Sequence, residues 1–261
     1  MKAVAIFLFC LSFAAWAAES ISPRKPIRPF SGGDLSVFET WLKDSKRDDP
    51  QRVFSLKQGV LHVSGAGRGY IATRQAYRDY RLSVEFKWGK KTDGGRYVRN
   101  SGVLLHAGGA HGAARGVWMN SLEVQLAQGC EGDFIVIRGS GGPKVDITCN
   151  TRLAKDKRTR WDPKGKPMRY SGRQFWWNRH QPFFKEHLDT RGRNDVASPL
   201  GEWTRVECVC AGGRVSVFIN GVKVNEAFNV SPRSGRILLQ NEGHEVWFRK
   251  LVIAPLAKGE K

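Results

Sequence analysis

The chain has 261 residues, five cysteines and a formal net charge of +19 at neutral pH. This length allows one β-sandwich or two small domains, and it is ample for a large buried core. Beyond the first twenty residues no run approaches 18 apolar residues, which excludes a membrane span from the rest of the chain. So basic a chain is compatible with nucleic acid, anionic envelope polymers or acidic lipid surfaces as partners.

The N-terminus predicts a cleavable secretory signal at residues 1–17. Lys2 precedes an apolar run from Ala3 to Trp16, and Ala15-Trp16-Ala17 fits the small-x-small pattern of signal peptidase sites. We expect cleavage after Ala17, with Ala18 as the second choice; an uncleaved N-terminal anchor is the alternative. The mature chain would be periplasmic or secreted and would carry +18 once Lys2 is removed. Export argues against nucleic acid as the physiological partner, and an anionic envelope or a basic proteome also explains the charge.

Four cysteines lie outside the signal. In an oxidising compartment Cys130 and Cys149 are the disulfide candidates. Cys208 and Cys210 are one residue apart in a strand-like run, so they would point to the same face but lie too far apart to bridge. A zinc site is the competing interpretation, although neither Cys-x-x-Cys nor paired histidines occur.

The remaining chain alternates in short strands separated by glycine-containing turns, and no segment outside the signal predicts a helix of three turns. Residues 18–35 are interpreted as an N-terminal arm or linker, and residues 36–257 as a single domain. Asn220-Gly221 is a strong two-residue hairpin turn. This pattern is typical of an all-β sandwich or jelly roll. The predicted strands are 53–56, 60–63, 69–73, 80–88, 102–106, 121–127, 133–137, 204–210, 214–219, 222–224, 237–240 and 245–253.

Residues 152–193 interrupt the strand pattern. They hold thirteen Lys and Arg against four Asp and Glu, together with seven aromatic residues. The aromatic residues argue against plain disorder, and a loop this long is usually functional. We interpret the segment as a lid or sugar-contacting loop; an irregular structural insertion and a nucleic-acid contact are the alternatives.

Three motifs carry groups suited to sugar chemistry: Asn100–His106, Ser121–Leu126 and Arg236–Arg249. In the second, Leu122 and Val124 would face the core, so Glu123 and Gln125 would face away from it. Each candidate also has a plain structural interpretation. Glu123 would be an exposed polar residue, His106 a satisfied strand-end histidine, and Glu242 a turn residue paired with Arg249.

Glycine at position 102 is expected to let a ligand approach the backbone of the first motif. By alternation Gly102 shares a face with Asn100, Leu104 and His106. In the third motif the same alternation places Gln240 and Glu242 on one face.

At these motifs the chain resembles the 3-keto-disaccharide hydrolase family, formerly a domain of unknown function. The resemblance implies a concanavalin A-like jelly-roll β-sandwich, here with a long basic, aromatic-rich insert. The chain departs from the family at that insert and at Ala127-Gln128, where many relatives have an Asp nearby. The blocks that carry the resemblance run in order through Gly59–Leu61, Gly69–Thr73, Tyr80–Trp88, Asn100–Val103, Leu122–Gln125, Gly201–Thr204, Asn220-Gly221, Gly235–Gly243, Phe248-Arg249 and Pro255-Leu256.

The related family 16 glycoside hydrolases use Glu-x-Asp-x-x-Glu on one strand, whereas this strand reads Glu123-Val124-Gln125-Leu126-Ala127-Gln128. Two of the three carboxylates are missing, which argues against double-displacement hydrolysis of an ordinary glycoside. The family implies instead that a ketone at C3 acidifies C2–H. A base removes this proton, the aglycone leaves C1 by elimination, and water adds to the enone.

We expect Glu123 to be the base and His106 the acid or the donor to the enolate oxygen. Substrate hydroxyls would be held by Asn100, Gln125, Gln240 and Glu242, and negative charge would be stabilised by Arg249 or Lys87. A divalent metal is a possible cofactor, although no metal motif occurs.

The chain has no dinucleotide fingerprint, and an exported protein meets no free nicotinamide pool. A separate sugar 3-dehydrogenase would therefore supply the oxidised sugar. Two alternatives stay open. One is a non-catalytic carbohydrate-binding jelly-roll module, and the other is an envelope protein that binds anionic polymer through residues 152–193.

Overall fold

The computed structural model describes residues 19–95, 97–177 and 187–260, so the predicted signal at 1–17 lies outside the described residues. Within these ranges the chain forms strands and no helix, and hence no helix able to cross a membrane. The strands are β1 (Phe38–Leu42), β2 (Phe54–Lys57), β3 (Val60–Val63), β4 (Gly69–Thr73), β5 (Tyr80–Trp88), β6 (Gly102–Gly108), β7 (Asn120–Gln125), β8 (Phe134–Ile137), β9 (Asp146–Leu153), β10 (Thr159–Trp161), β11 (Lys166–Tyr170), β12 (Gln174–Phe175), β13 (Thr204–Ala211), β14 (Arg214–Ile219), β15 (Val222–Ser231), β16 (Arg236–Asn241) and β17 (Val246–Pro255).

The strands form two antiparallel sheets. The first has the order β1-β4-β16-β6-β7-β8-β12, and the second has the order β10-β9-β15-β14-β13-β5-β17-β3-β2, with β11 also paired to β9. Strands distant in sequence, such as β16 and β6, are neighbours in the first sheet. The predicted hairpin at Asn220-Gly221 joins β14 to β15, with positive φ angles at both residues. The predicted all-β sandwich is confirmed.

Alternating hydrophobicity decides which face of each strand is buried. In β5 the residues Leu82, Val84 and Phe86 are at most 2% exposed and enter the core between the sheets. In β7 Leu122 and Val124 enter the same core. Because successive side chains of a strand point to opposite faces, the residues between them must face away from the core. This alternation is what places the polar residues of β7 on the outer face of the first sheet.

The segment before the first strand is ordered and packs on the sandwich. The backbone N–H of Ile21 donates to the carbonyl of Ala76 at 3.0 Å, and that of Ile27 donates to Ile253 at 2.9 Å. Phe30 is 3% exposed and belongs to the core. Of the two interpretations of residues 18–35, the described residues 19–35 form an arm and not a loose linker.

The structure contradicts the predicted disulfide. No disulfide is present among the described residues, and Cys130 and Cys149 are both thiols. They are held apart because Cys149 lies on β9 in the core between the sheets, whereas Cys130 packs with Val98 and Ala127 in a separate small cluster. Cys208 lies in the core, where burial raises the pKa of its thiol well above the usual value.

The basic segment is largely an extension of both sheets. β10 and β11 pair with β9 in the second sheet, and β12 pairs with β8 in the first. Trp161, Phe175 and Trp177 are core residues of the sandwich. Residues 178–186 lie outside the described residues. The described part of 152–193 is therefore built into both sheets, and the residues around its last strand reach the outer face of the first sheet.

We predict that Leu61→Ala will lower the free energy of unfolding by about 2–5 kcal/mol, because it leaves a cavity in the core. Leu61 is fully buried in β3, whereas Leu153 in β9 is 71% exposed. The matched variant Leu153→Ala should change stability by only ~0.5 kcal/mol. Urea denaturation of both variants tests the assignment of the core, and equal losses would contradict it.

Candidate active site

A polar cavity of about 480 Å³ opens on the outer face of the first sheet. β7, β8 and β16 form its floor, and its walls come from the residues before β6, the loop between β6 and β7, and the segment before β12. Five of the predicted site residues line it, as do residues that the motifs did not indicate. The five are Asn100, Glu123, Gln125, Gln240 and Glu242, and the others include Tyr97, Arg115, Trp118, Arg138 and Arg173.

Glu123 lies at the floor of the cavity and is only 3% exposed. Its carboxyl occupies the space above Gly102, where a Cβ atom would stand 2.4 Å from Glu123 Oε1. The expectation that a ligand approaches the backbone at Gly102 is therefore wrong, because the side chain of Glu123 already fills that space. Oε1 is buried and has no hydrogen-bond partner among the described residues, so a negative charge on this oxygen is costly.

Glu242 forms a carboxyl pair with Glu123. Burial raises the pKa of Glu123 well above its usual value, and the negative charge of Glu242 raises it further. Burial also raises the pKa of Glu242, against the opposing charges of Arg68, Arg173 and Arg115. Two carboxyls that share a poorly solvated site cannot both ionise easily. The two carboxyls are therefore disposed to share a proton, and the larger rise in pKa at Glu123 favours that proton on Glu123.

Amide side chains complete the polar wall. Asn100 Nδ2 donates to Glu242 Oε2, while Asn100 Oδ1 and Gln240 Oε1 are buried without a partner among the described residues. Buried amide oxygens left unsatisfied are costly, so these two are suited to accept hydrogen bonds from a ligand. Gln125 Oε1 instead accepts from the backbone N–H of Leu126 at 2.9 Å and of Ala127 at 3.1 Å. Gln125 thus secures the end of β7.

The cavity contains cations that the motif analysis missed. Arg115 and Arg173 line the cavity and are exposed. Arg138 holds the wall together, because its Nε donates to the Val145 carbonyl at 2.9 Å and its Nη1 to the Ser171 and Gly172 carbonyls at 3.4 and 3.3 Å. Arginines are frequent in this chain, so composition did not single these out. Their position in the loop after β6 and in the segment before β12 was the only feature that could have indicated that they lie at the cavity.

The structure contradicts the catalytic role predicted for His106. The strand pairing shifts between Leu105 and Gly108, and His106 has a φ of 53°, which turns its side chain away from the cavity. The ring packs edge-on against Tyr80 in the core, and its Nδ1 lies 2.9 Å from the carbonyl oxygen of Pro232. Burial lowers the pKa of His106 to about 4, so it is a neutral core histidine.

Lys87 and Arg249 lie on the other sheet, so neither can stabilise charge in this cavity. Both alternate with core residues on β5 and β17 and therefore point outward from the second sheet. Arg249 lies 4.0 Å from the Trp203 ring centroid and forms an ion pair with Glu85 at 2.6 Å. Lys87 lies 5.0 Å from the same ring. The alternative pairing of Glu242 with Arg249 is excluded as well.

Metal ligands do not cluster in the part of the chain that the structure describes. No three side chains of His, Cys, Asp and Glu lie close enough there to share a metal ion. The positive groups beside the carboxyl pair are guanidinium groups. The expectation of a possible divalent metal stays a prediction.

The profile of a family described as the 3-keto-alpha-glucoside-1,2-lyase-like domain matches residues 25–254. The chain belongs to this family. The match runs from the N-terminal arm to β17, so it includes every residue that lines the cavity. The resemblance found in the sequence motifs is confirmed, and the family is one of carbohydrate-active proteins.

A solved structure of another protein shows the same fold, and two further structures are less similar. A predicted glycosyl hydrolase from Parabacteroides distasonis is 16% identical with a TM-score of 0.52, covering 89% of this chain and 94% of that chain. A carbohydrate-binding module from Bacillus subtilis is 7% identical with a TM-score of 0.49, covering 84% and 95%. A β-glucanase from Bacillus licheniformis is 8% identical with a TM-score of 0.46, covering 88% and 97%. No curated protein sequence matches the chain.

The raised pKa of Glu123 determines how the free energy of unfolding of this protein should depend on pH. A carboxyl whose pKa is raised by folding keeps a proton that the unfolded chain releases. Stability therefore falls as the pH rises from the unfolded pKa toward the folded pKa. We predict that Glu123→Gln will flatten this fall, so that the variant gains stability relative to the wild type between pH 5 and pH 8.

Glu85→Gln is the matched control, for which we expect the opposite change in stability with pH. Burial opposes ionisation of Glu85, but hydrogen bonds from Lys250 and Arg249 outweigh it and lower the pKa. The stabilisation from Glu85 is present above its unfolded pKa and is lost as the pH falls through the folded pKa. Glu85→Gln should accordingly lose stability at pH 8. Urea midpoints measured from pH 4 to pH 8 give both profiles, and parallel profiles for Glu123→Gln and the wild type would contradict the raised pKa of Glu123.

Proposed function

We propose that the protein cleaves 3-keto-glycosides by removing the C2 proton, eliminating the aglycone and hydrating the product, for net hydrolysis. The observation that carries this proposal is the buried pair Glu123 and Glu242, which lies in one polar cavity beside Arg173. Elimination next to a ketone needs a base, an acid and a cation, and these three side chains provide all of them.

Glu123 is the base in this scheme. Its raised pKa makes its carboxylate a stronger acceptor for a carbon-bound proton, and its Oε1 has no partner among the described residues. As the proton leaves C2, the electron pair moves toward C3 and negative charge develops on the ketone oxygen. Arg173 is placed to stabilise that oxygen, because its charge acts on both carboxyls of the pair.

Glu242 is the acid. When the C1–O bond breaks, the electron pair of the bond goes to the aglycone oxygen, which takes the proton from Glu242. Water then attacks C1 of the enone while Glu242, now ionised, accepts the water's proton. Glu123 returns its proton to C2, so both carboxyls regain their starting states. One shared proton thus serves a complete cycle.

The remaining wall of the cavity suits a sugar ring. Asn100 and Gln240 offer amide oxygens without partners among the described residues, which would accept from substrate hydroxyls. Trp118 contributes an aromatic surface at the same cavity. These groups would hold the ring so that C2–H faces Glu123.

A carbohydrate-binding module is the alternative on the same fold. Such a module would present Glu123 on an open groove lined by aromatic residues, without a second acid. The acid beside it, Glu242, has a raised pKa, which favours catalysis over simple binding.

We further propose that the protein is exported and acts after a separate sugar 3-dehydrogenase. The N-terminal sequence carries the features of a secretory signal. A glycoside must first be oxidised at C3 before its C2 proton is acidic enough for Glu123, and in that step the C3 hydride passes to an electron acceptor bound by the separate dehydrogenase.

We predict that Glu123→Gln will lower turnover of a 3-keto-α-glucoside by roughly 10²–10⁴-fold, because it removes the base. Loss of the ketone chromophore measures the rate. Glu85→Gln makes the same chemical change on the opposite sheet and should leave the rate within about twofold, since surface changes act weakly. Full activity of Glu123→Gln would reject Glu123 as the base, and an inactive wild type would reject the enzyme.

Glu242→Gln separates proton abstraction from elimination. We predict that this variant will still exchange the C2 hydrogen with D₂O but will release the aglycone slowly, because Glu123 remains and the acid is lost. A 4-nitrophenyl leaving group needs no protonation and should restore most of the rate. Deuterium uptake followed by NMR provides the measurement. Loss of exchange together with elimination in Glu242→Gln would assign the base to Glu242 instead.

A further inference from the structure

The mouth of the cavity carries more positive charge than elimination requires. Stabilising one enolate oxygen needs one cation, for which Arg173 is placed by its action on both carboxyls. Arg115 also lines the cavity and is exposed, and Arg68 lies in a loop that hydrogen bonds tie to Asn241, next to Glu242 in the chain. If the carboxyl pair holds one proton, the three guanidinium groups leave this region with a net positive charge.

These two arginines have no carboxylate of their own to neutralise. Among the described residues, no Asp or Glu lies within ion-pair distance of Arg68 or Arg115. Other arginines on the same sheet are paired: Arg236 lies 2.6 Å from Glu39, and Arg74 lies 3.1 Å from it. The positive charge at the cavity is therefore open to an anion from solution.

Arg115 is held in place at the tip of a tight turn. The backbones of Ala114 and Trp118 exchange two hydrogen bonds of 2.9 Å, and between them Arg115 and Gly116 take the left-handed conformation, with φ angles of 56° and 72°. The same loop is anchored by His111, whose Nδ1 lies 2.7 Å from the hydroxyl of Tyr70. The backbone of Arg115 is therefore fixed, and less entropy is lost on binding than if the loop itself had to be ordered.

Arg68 approaches the same carboxyl from a different loop. It lies just before β4, and the adjacent backbone is fixed because Asn241 Nδ2 donates to the carbonyls of Ala66 at 2.7 Å and Gly67 at 3.2 Å. Asn241 is the neighbour of Glu242 in the chain, so the Arg68 loop is tied to the residue that protonates the aglycone. Arg115 at the cavity wall and Arg68 in the loop tied to Asn241 therefore come from two separate loops near Glu242.

We propose that the preferred substrate carries an oxyanion, either a carboxylate or a sulfate ester, on the aglycone, and that Arg115 and Arg68 bind it. This inference rests on the proposed function, because it uses Glu242 as the group that protonates the leaving oxygen. Guanidinium groups suit these anions because their planar N–H donors match two oxygens at once. The overall charge of +19 adds attraction toward an anionic polymer or oligosaccharide.

The test compares three aryl 3-keto-α-glucosides that differ only at the para position: carboxylate, carboxamide and sulfate ester. The wild type should show a kcat/KM for at least one anion that exceeds that of the carboxamide on the order of tenfold at low salt. The preference should shrink at high salt because the arginines are exposed. The anion with the larger preference identifies the chemical class.

Arg115→Gln and Arg68→Gln should each remove most of this preference, measured as the ratio of kcat/KM for the anion to that for the carboxamide in the same variant, so that a change in turnover common to all three substrates cancels. Arg115→Lys keeps the charge and should retain part of the preference. Arg78→Gln is the matched control, because Arg78 is also exposed and lines no part of this cavity. An equal loss in Arg78→Gln would show that only the total charge matters and would overturn the proposal.

Calorimetry with the corresponding unoxidised glucosides separates this proposal from the proposed function. Tighter binding of an anionic glucoside by the wild type, lost in Arg115→Gln, supports the anion site even if no keto-glucoside is cleaved. Equal affinity for all three glucosides overturns it, as does equal kcat/KM for all three keto-glucosides, even if cleavage itself is fast.

Discussion

Burial of two neighbouring carboxyls in one poorly solvated cavity is the constraint on which this site depends. Glu123 and Glu242 both have raised pKa values because burial disfavours their charged forms. The free-energy cost of burying these carboxyls is offset by the hydrophobic core on the other side of the same sheet, where Leu122 and Val124 pack. The core stabilises the strands strongly enough to hold acid groups where water would otherwise solvate them.

The order of strands in the first sheet brings the site together. β16, β6, β7 and β8 are consecutive neighbours, so Glu123 on β7 and Gln240 on β16 are separated by a single strand, although 117 positions separate them in the chain. Gly102 on that intervening strand leaves room for the Glu123 carboxyl. The arginines come from loops at the ends of these strands, so the same strand order brings them near the two carboxyls. The sheet therefore fixes the acids, while the loops supply the cations.

Each wrong prediction of a residue's position has an identifiable physical reason. Strand alternation predicts that His106 faces the cavity. The shift in strand pairing after Leu105 instead directs its side chain into the core beside Tyr80. Lys87 and Arg249 lie on strands that the sequence predicts clearly. The pattern of a strand does not indicate, however, which of the two sheets that strand will join. Arg115 and Arg173 were missed for the opposite reason, since they lie in connecting segments where periodicity carries no information.

The amino-acid sequence by itself determined the all-β class, most of the strands and the face on which Glu123 lies, because alternation along a strand is a local property. It also carried the family resemblance through short ordered blocks. Only the tertiary structure decided that Glu242 is the partner of Glu123 and that arginines surround the pair. Those contacts depend on strand order, on a local bulge and on loop conformation, which arise from long-range packing and leave no periodic trace in the chain.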